Sequence, residues 1–496
     1  MDRRIKKPFW GLGLIGLIIG IFFIKELFWA YLVPVWQAPD EPAHFGYLQS
    51  MYKQKDFPIL GEATFTSLGF DSMGRPDPGR NAPYVNWIAQ HPPLYYLVLA
   101  PIYGIIEMFL MGGTVIDPVN WIFYLRIFSI LLSCVTLFFI YKTSDYLLTV
   151  MGQNRFFSLA VVGFIAFLPG FSYISALLNN DNLVIALSSI LFYLLAKRYY
   201  GAAQDKSKNM PAPWPRSDWL IGLILGLMAL TKITALPFWI AVFVLELIFF
   251  KGSAEKKGVN HGEIRALMRI FGLAILISGW WYIRNWYLYG TIFPDLSAIT
   301  AHHPELLTKY SGLDALFPEI MGSGAKAGTS LWGFIFDQNF LWQYFKSFWG
   351  EFGMFMVNLG SLQNAGILAL VIVAGLGHLK KYLLKPKNAQ TEAQVALKPW
   401  VFLLIPFLCV FVTMSWKLFQ IYSGRGFLGA NHGRYMYSVL LPVAYFIVSG
   451  FYSLFQGRKQ AFKTGFVLTG VLITLVFLCV LNEFFTLTGI IIPEFY

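Results

Sequence analysis

Apolar residues fall in long unbroken runs, at about 8–33, 93–111, 121–141, 157–178, 182–197, 218–250, 269–289, 353–377, 399–416, 435–455 and 464–482. Several approach the ~20 residues that a helix needs to cross about 30 Å of hydrocarbon. Strand-like alternation is absent, so the pattern predicts a helical bundle. The run 218–250 is too long for one crossing, since roughly 33 residues make a helix near 50 Å. Lys232 in its middle and Pro237 beyond predict two short helices meeting at an outer turn around Lys232. Two long polar intervals remain: 34–92, rich in Pro, Gly, Asp and aromatics, and 291–352, with His302, His303 and several Trp.

Charge gives the runs a direction. Lys and Arg concentrate in the connections 197–216, 251–269, 380–398 and 458–463, which the positive-inside bias assigns to the cytoplasm. Counting crossings back from them puts both polar intervals outside. One conflict follows. If 93–111 and 121–141 both cross, the segment 179–182 falls inside and the basic loop after Lys197 falls outside. One of that pair is therefore short, re-entrant or interfacial, and the sequence does not say which. The first run follows Arg3, Arg4, Lys6 and Lys7 and has no small-residue cleavage site before Trp36, so it reads as a retained helix.

Composition agrees. A chain with 57% hydrophobic and 13% charged residues and a mean hydropathy of +0.58 does not pack into one soluble core. The net charge of +12 resides in the inter-helix connections, which excludes a nucleic-acid partner and leaves membrane lipids as the surroundings. Cys134, Cys409 and Cys479 lie inside apolar runs without metal or disulfide spacing. With no repeat or linker visible, the expectation is an all-α polytopic membrane protein of about 11–13 helices. It forms a single unit with two long outer loops and no separate soluble domain.

Candidate chemistry begins after the first run, where Asp40 and Glu41 stand between Pro39 and Pro42 with His44 close behind. One carboxylate at an interface can deprotonate a hydroxyl while its neighbour supports it. The plainer alternative is a helix cap at Pro42. His91, before Pro92 and Pro93, is either a site residue or an interfacial side chain. Asp181, among Asn179, Asn180 and Asn182, interrupts an apolar stretch, which is a functional signal in a membrane or a simple N-cap. Lys232, Arg284 and Arg434 lie on the predicted outer side, against the positive-inside bias. An anionic partner such as a lipid-linked phosphate explains them, and so does snorkelling to headgroups. His302 and His303 with Glu305 lack zinc-like spacing, and no metal site is expected.

Taken in order, these motifs resemble the GT-C glycosyltransferases over nearly the whole chain. The match is closest to bacterial members with the signature Pro39-Asp40-Glu41-Pro42-Ala43-His44. His91-Pro92-Pro93-Leu94 is also similar to protein mannosyltransferases and the lipid A aminoarabinose transferase. The resemblance implies an inverting transfer from a polyprenyl-phosphate-linked sugar to a glycan, lipid or protein acceptor, at the outer face of a bacterial cytoplasmic membrane, without a cofactor. It makes Asp40 the base, Glu41 its helper and Asp181 a second acid. Lys232, Arg284 and Arg434 would hold the donor phosphate, and His44 and His91 would contact substrate. Relatives often carry a soluble outer domain; here the two outer intervals are expected to form the acceptor site. The competing readings are an O-antigen polymerase or ligase, and a flippase or transporter with charges along a path reached from both faces.

Overall fold

The computed structural model describes residues 10–66, 83–110, 118–151, 156–204, 215–253, 261–294, 330–337, 339–353, 357–383, 397–425, 432–455 and 461–495. His302, His303 and Glu305 lie outside the described residues. The apolar runs form helices because each closes its backbone hydrogen bonds within itself, the requirement that lipid imposes. The helices are α1 (Trp10–Leu32), α2 (Glu41–Gln49), α3 (Leu94–Leu110), α4 (Pro118–Met151), α5 (Phe156–Ala166), α6 (Pro169–Ser175), α7 (Asp181–Gln204) and α8 (Pro215–Ala229). They continue with α9 (Pro237–Ser253), α10 (His261–Tyr289), α11 (Phe340–Trp349), α12 (Ser361–Leu383), α13 (Pro399–Arg425), α14 (Leu440–Phe455) and α15 (Ala461–Thr486). Nine helices are long and apolar enough to cross a membrane; the bent pair α5–α6 makes a tenth, and α3 and α8 are shorter apolar helices, all among the described residues.

The unresolved pair of runs separates cleanly. Arg126, early in the 34-residue α4, donates to the carbonyls of Ala30, Val33 and Pro34 at the end of α1, so α4 starts where α1 finishes. The start of α3 is tied to the same end by Leu94 N–H donating to Leu230 O at 3.0 Å. Further along α3, Tyr103 packs on Trp121 of α4 at 4.8 Å and on Tyr52 at 5.0 Å. The first ten residues of α3 therefore stay near the end of the bundle where α4 starts, and α4, with a 28-residue apolar stretch, has the length to cross.

Two further runs break. The run 218–250 divides into α8 and α9 around a turn at Lys232, whose backbone is extended. The run 157–178, expected as one crossing, bends by 68° between α5 and α6. Pro169 opens α6, and the residue before a proline is pushed out of the helical region, as Leu168 is. At one close helix contact, Gly377 of α12 and Gly450 of α14 meet backbone to backbone, where either would carry a Cβ into the other helix.

The polar intervals are structured where they are described. In the first, β1 (Thr64–Thr66) pairs antiparallel with β2 (Pro83–Val85) beside α2. In the second, α11 leads into β3 (Glu351–Phe352), which pairs antiparallel with β4 (Val357–Asn358), two residues in each strand. At the opposite end of the bundle Arg198 joins Asp218 at 2.5 Å and Glu246 at 2.8 Å, and Arg269 joins Asp218 at 2.6 Å. Two acids and two bases cancel there.

Candidate functional site

Asp40 and Glu41 are adjacent, and the backbone sends them apart. Asp40 is the N-cap of α2 with φ 62° and ψ 5°, a left-handed conformation that Asp tolerates better than most residues. Its carboxylate makes no capping bond to α2. Oδ1 instead accepts from Trp87 Nε1 at 3.0 Å, and Oδ2 accepts from Arg434 Nη2 at 3.0 Å. Trp87 is held in reach because Asn86 caps its 3-10 turn and donates to Ala43 O in α2. Burial pushes the Asp40 carboxyl up, but Arg434, then His44, the Trp87 bond and Lys232 outweigh it and hold the group well below the usual carboxylate range.

Glu41 turns inward and is fully buried. Arg126 Nε donates to Oε1 at 2.8 Å and Arg126 Nη2 to Oε2 at 2.7 Å, a two-pronged pair. The Trp36 and Leu178 N–H groups complete its bonds. This corrects the expectation of two carboxylates side by side at the surface: only Asp40 is partly open, its side chain 30% exposed. Arg126, which sequence reasoning passed over, was legible as an arginine within the apolar run 121–141.

The second acid comes from the start of α7. Asp181 Oδ1 accepts from Lys232 Nζ at 2.6 Å, and its Oδ2 lies 3.7 Å from Arg434 Nε. Arg434 thus stands between Asp40 and Asp181, with the Tyr435 ring 5.6 Å from its guanidinium and 5.7 Å from Lys232 Nζ. The 3-10 turn Gly433–Val439 that carries Arg434 is pinned to α11: Gly433 N–H donates to Ser347 Oγ and Tyr437 OH to Phe348 O. Beside Arg434 a niche is lined by Ser347, Glu351, His432 and Tyr437.

Of the three expected bases, Lys232 and Arg434 converge and Arg284 does not join them. Arg284 donates to the carbonyls of Phe57 and Pro58 and stacks over Trp281 at 4.7 Å. It ties the first polar interval to α10. His44 is buried on α2, with Nδ1 2.7 Å from Tyr96 OH. Burial, only partly opposed by Asp40, drops its ring to about 3. His91 is lowered to about 3 as well, by burial and then by Lys232. Both rings are neutral near pH 7, which leaves Asp40, Asp181, Lys232 and Arg434 as two balanced pairs.

No family model and no curated protein matches the chain. Among solved structures it is similar to the Archaeoglobus fulgidus oligosaccharyltransferase, solved tethered through a disulfide to an acceptor peptide containing the NVT sequon. The TM-score is 0.51 at 12% identity, over 96% of this chain and 55% of that one. The shared fold is an all-α bundle of membrane-crossing helices. The chain spans about half the length of that protein, and at this identity the likeness is one of fold. Within this fold the chain carries its acids on the first interval and on the start of α7, and its bases on the α8–α9 turn and before α14.

Proposed function

We propose that the chain is an inverting glycosyltransferase that moves a sugar from a polyprenyl-phosphate carrier to an acceptor hydroxyl at the non-cytoplasmic face of a bacterial membrane. One observation carries this reading: Arg434 bridges Asp40 and Asp181, so acids and bases from four distant segments meet at one end of the bundle. In the reaction Asp40 takes the acceptor proton, the acceptor oxygen bonds to the anomeric carbon, and the bond to phosphate breaks with its electrons passing to the phosphate. Lys232 and Arg434 would receive that charge, the arginine forking two oxygens.

The proposed base is held by the same arginine that would hold the phosphate. A phosphate that draws Arg434 to itself returns Asp40 toward ordinary carboxylate basicity. Asp181 orients Lys232, His44 and His91 present neutral rings to the substrate, and Glu41 with Arg126 supports the turn on which Asp40 sits. The Arg198 network lies at the opposite bundle end and is separately neutralised, which favours chemistry at one surface over a charged path through the molecule. The basic connections flank that opposite end, so the positive-inside bias supports an outward-facing Asp40.

The test is mass spectrometry of lipid extracts from cells with and without the gene, followed by transfer with the purified chain. A polyprenyl-phosphate sugar should accumulate when the gene is removed and be consumed when the protein is returned. No accumulation and no consumption would reject the proposal.

A further inference from the structure

Three ionisable side chains meet among the apolar helices, and the proposed reaction uses none of them. Lys25 and Glu26 lie six to seven residues before the end of α1 at Leu32, about 10 Å along the helix. Glu483 comes from α15. Lys25 Nζ donates to Glu483 Oε1 at 2.9 Å, to Ser172 Oγ at 2.5 Å and to Ala166 O at 2.7 Å. Ala166 is the last residue of α5, so the lysine bonds a carbonyl at the α5–α6 bend and reaches into α6. Trp29 Nε1 donates to the same Glu483 oxygen at 2.7 Å.

Glu26 is treated differently. It is 0% exposed, and although its Oε1 lies 3.0 Å from Lys25 Nζ, neither carboxylate oxygen has an aligned hydrogen bond. Lys25 Nζ has four oxygens within 3.0 Å, those of Glu483, Ser172, Ala166 and Glu26, and only three protons to give them. Two carboxylates face one ammonium. If all three were ionised, the cluster would hold a net negative charge out of water, which costs several kcal/mol, whereas a neutral acid does not. The other titratable groups facing the cluster are Cys134 of α4 beside Glu26, Cys479 of α15 beside Glu483, and Tyr173 of α6 edge-on to Trp29. None of these supplies a second cation.

We infer that Glu26 is a buried proton-binding site, and that its proton keeps the Lys25–Glu483 clamp on the α5–α6 bend electrically neutral. Glu483, bonded by Lys25 and Trp29, is the ionised partner. The clamp matters to the site because α6 leads directly to Asp181 and carries Gly170 and Ile174 against the niche beside Arg434. Loss of the proton at high pH leaves an uncompensated carboxylate beneath the bend.

Infrared spectra of the purified full chain test the assignment. Wild type at pH 7 should show a protonated-carboxyl band that is lost in Glu26→Gln and strengthened in Lys25→Met, where both acids become neutral. Glu26→Gln, an isostere of the neutral acid, should melt with wild type at pH 7 and lose the fall in stability that wild type shows at alkaline pH. Absence of any band removed by Glu26→Gln overturns the inference. So does a Glu26→Gln chain that is destabilised or fails to fold, because a neutral isostere must replace a neutral acid.

Discussion

Asp40 and Glu41 share a peptide bond and have opposite surroundings, so their neutral variants should fail in different ways. General-base assistance is worth about 10²–10⁴-fold, and Asp40→Asn should lower turnover by that much while the chain stays folded. Glu41→Gln removes one partner of a buried pair and leaves the Arg126 charge uncompensated, a loss of about 3–5 kcal/mol. Its signature should be a lower melting temperature, with residual activity in proportion to folded protein. Turnover assayed beside thermal unfolding separates the two; a stable but inactive Glu41→Gln would return that residue to the chemistry. His44 supplies a pH test. Its pKa falls from 6.5 to about 3 on folding, so it favours the folded state fully above 6.5 and progressively less as pH drops. At pH 5 the loss from this ring is about 2 kcal/mol. His44→Gln should flatten that part of the stability curve between pH 7 and 5, and an unchanged slope would show that the ring is already charged in the fold.

At the scale of elements, continuous apolar runs are easy to see and their interruptions are harder. The Lys232 break was legible because a charge and a proline fall within an overlong run. The α5–α6 bend was not, although Pro169 marks it, because the run 157–178 has an ordinary crossing length. The charge pattern exposed the odd partner among 93–111 and 121–141, but naming α3 required the contacts of Arg126 and Tyr103. Within the site, Asp40, Asp181, Lys232 and Arg434 could be singled out as polar residues in the wrong place. The inward turn of Glu41 depends on a left-handed residue before it, which no spacing reveals. The resulting topology predicts that cysteines replacing Glu62 and Ser330, both exposed, react with an impermeant thiol reagent added outside cells. A cysteine replacing the exposed Lys398 should be protected until the membrane is opened. Opposite behaviour of Glu62→Cys and Ser330→Cys would break the assignment of the two intervals to one side.

At the scale of the whole molecule, ion pairs gather at both ends of the bundle: Asp40 and Asp181 with Arg434 and Lys232 at one end, Asp218 and Glu246 with Arg198 and Arg269 at the other. For the proposed donor this has a kinetic meaning. A cluster without an excess of positive charge cannot gather anionic lipids from a distance; steering of that kind needs unbalanced positive charge. Encounter must then rest on sideways diffusion of the carrier in the bilayer, with the arginine and lysine engaged only after contact. Ions in the aqueous phase screen long-range attraction over about 10 Å at 0.1 M but weaken buried pairs much less. The rate of transfer at low donor density should therefore stay nearly constant when salt is raised from about 0.05 to 0.5 M, whereas an uncompensated basic site would slow severalfold over the same range.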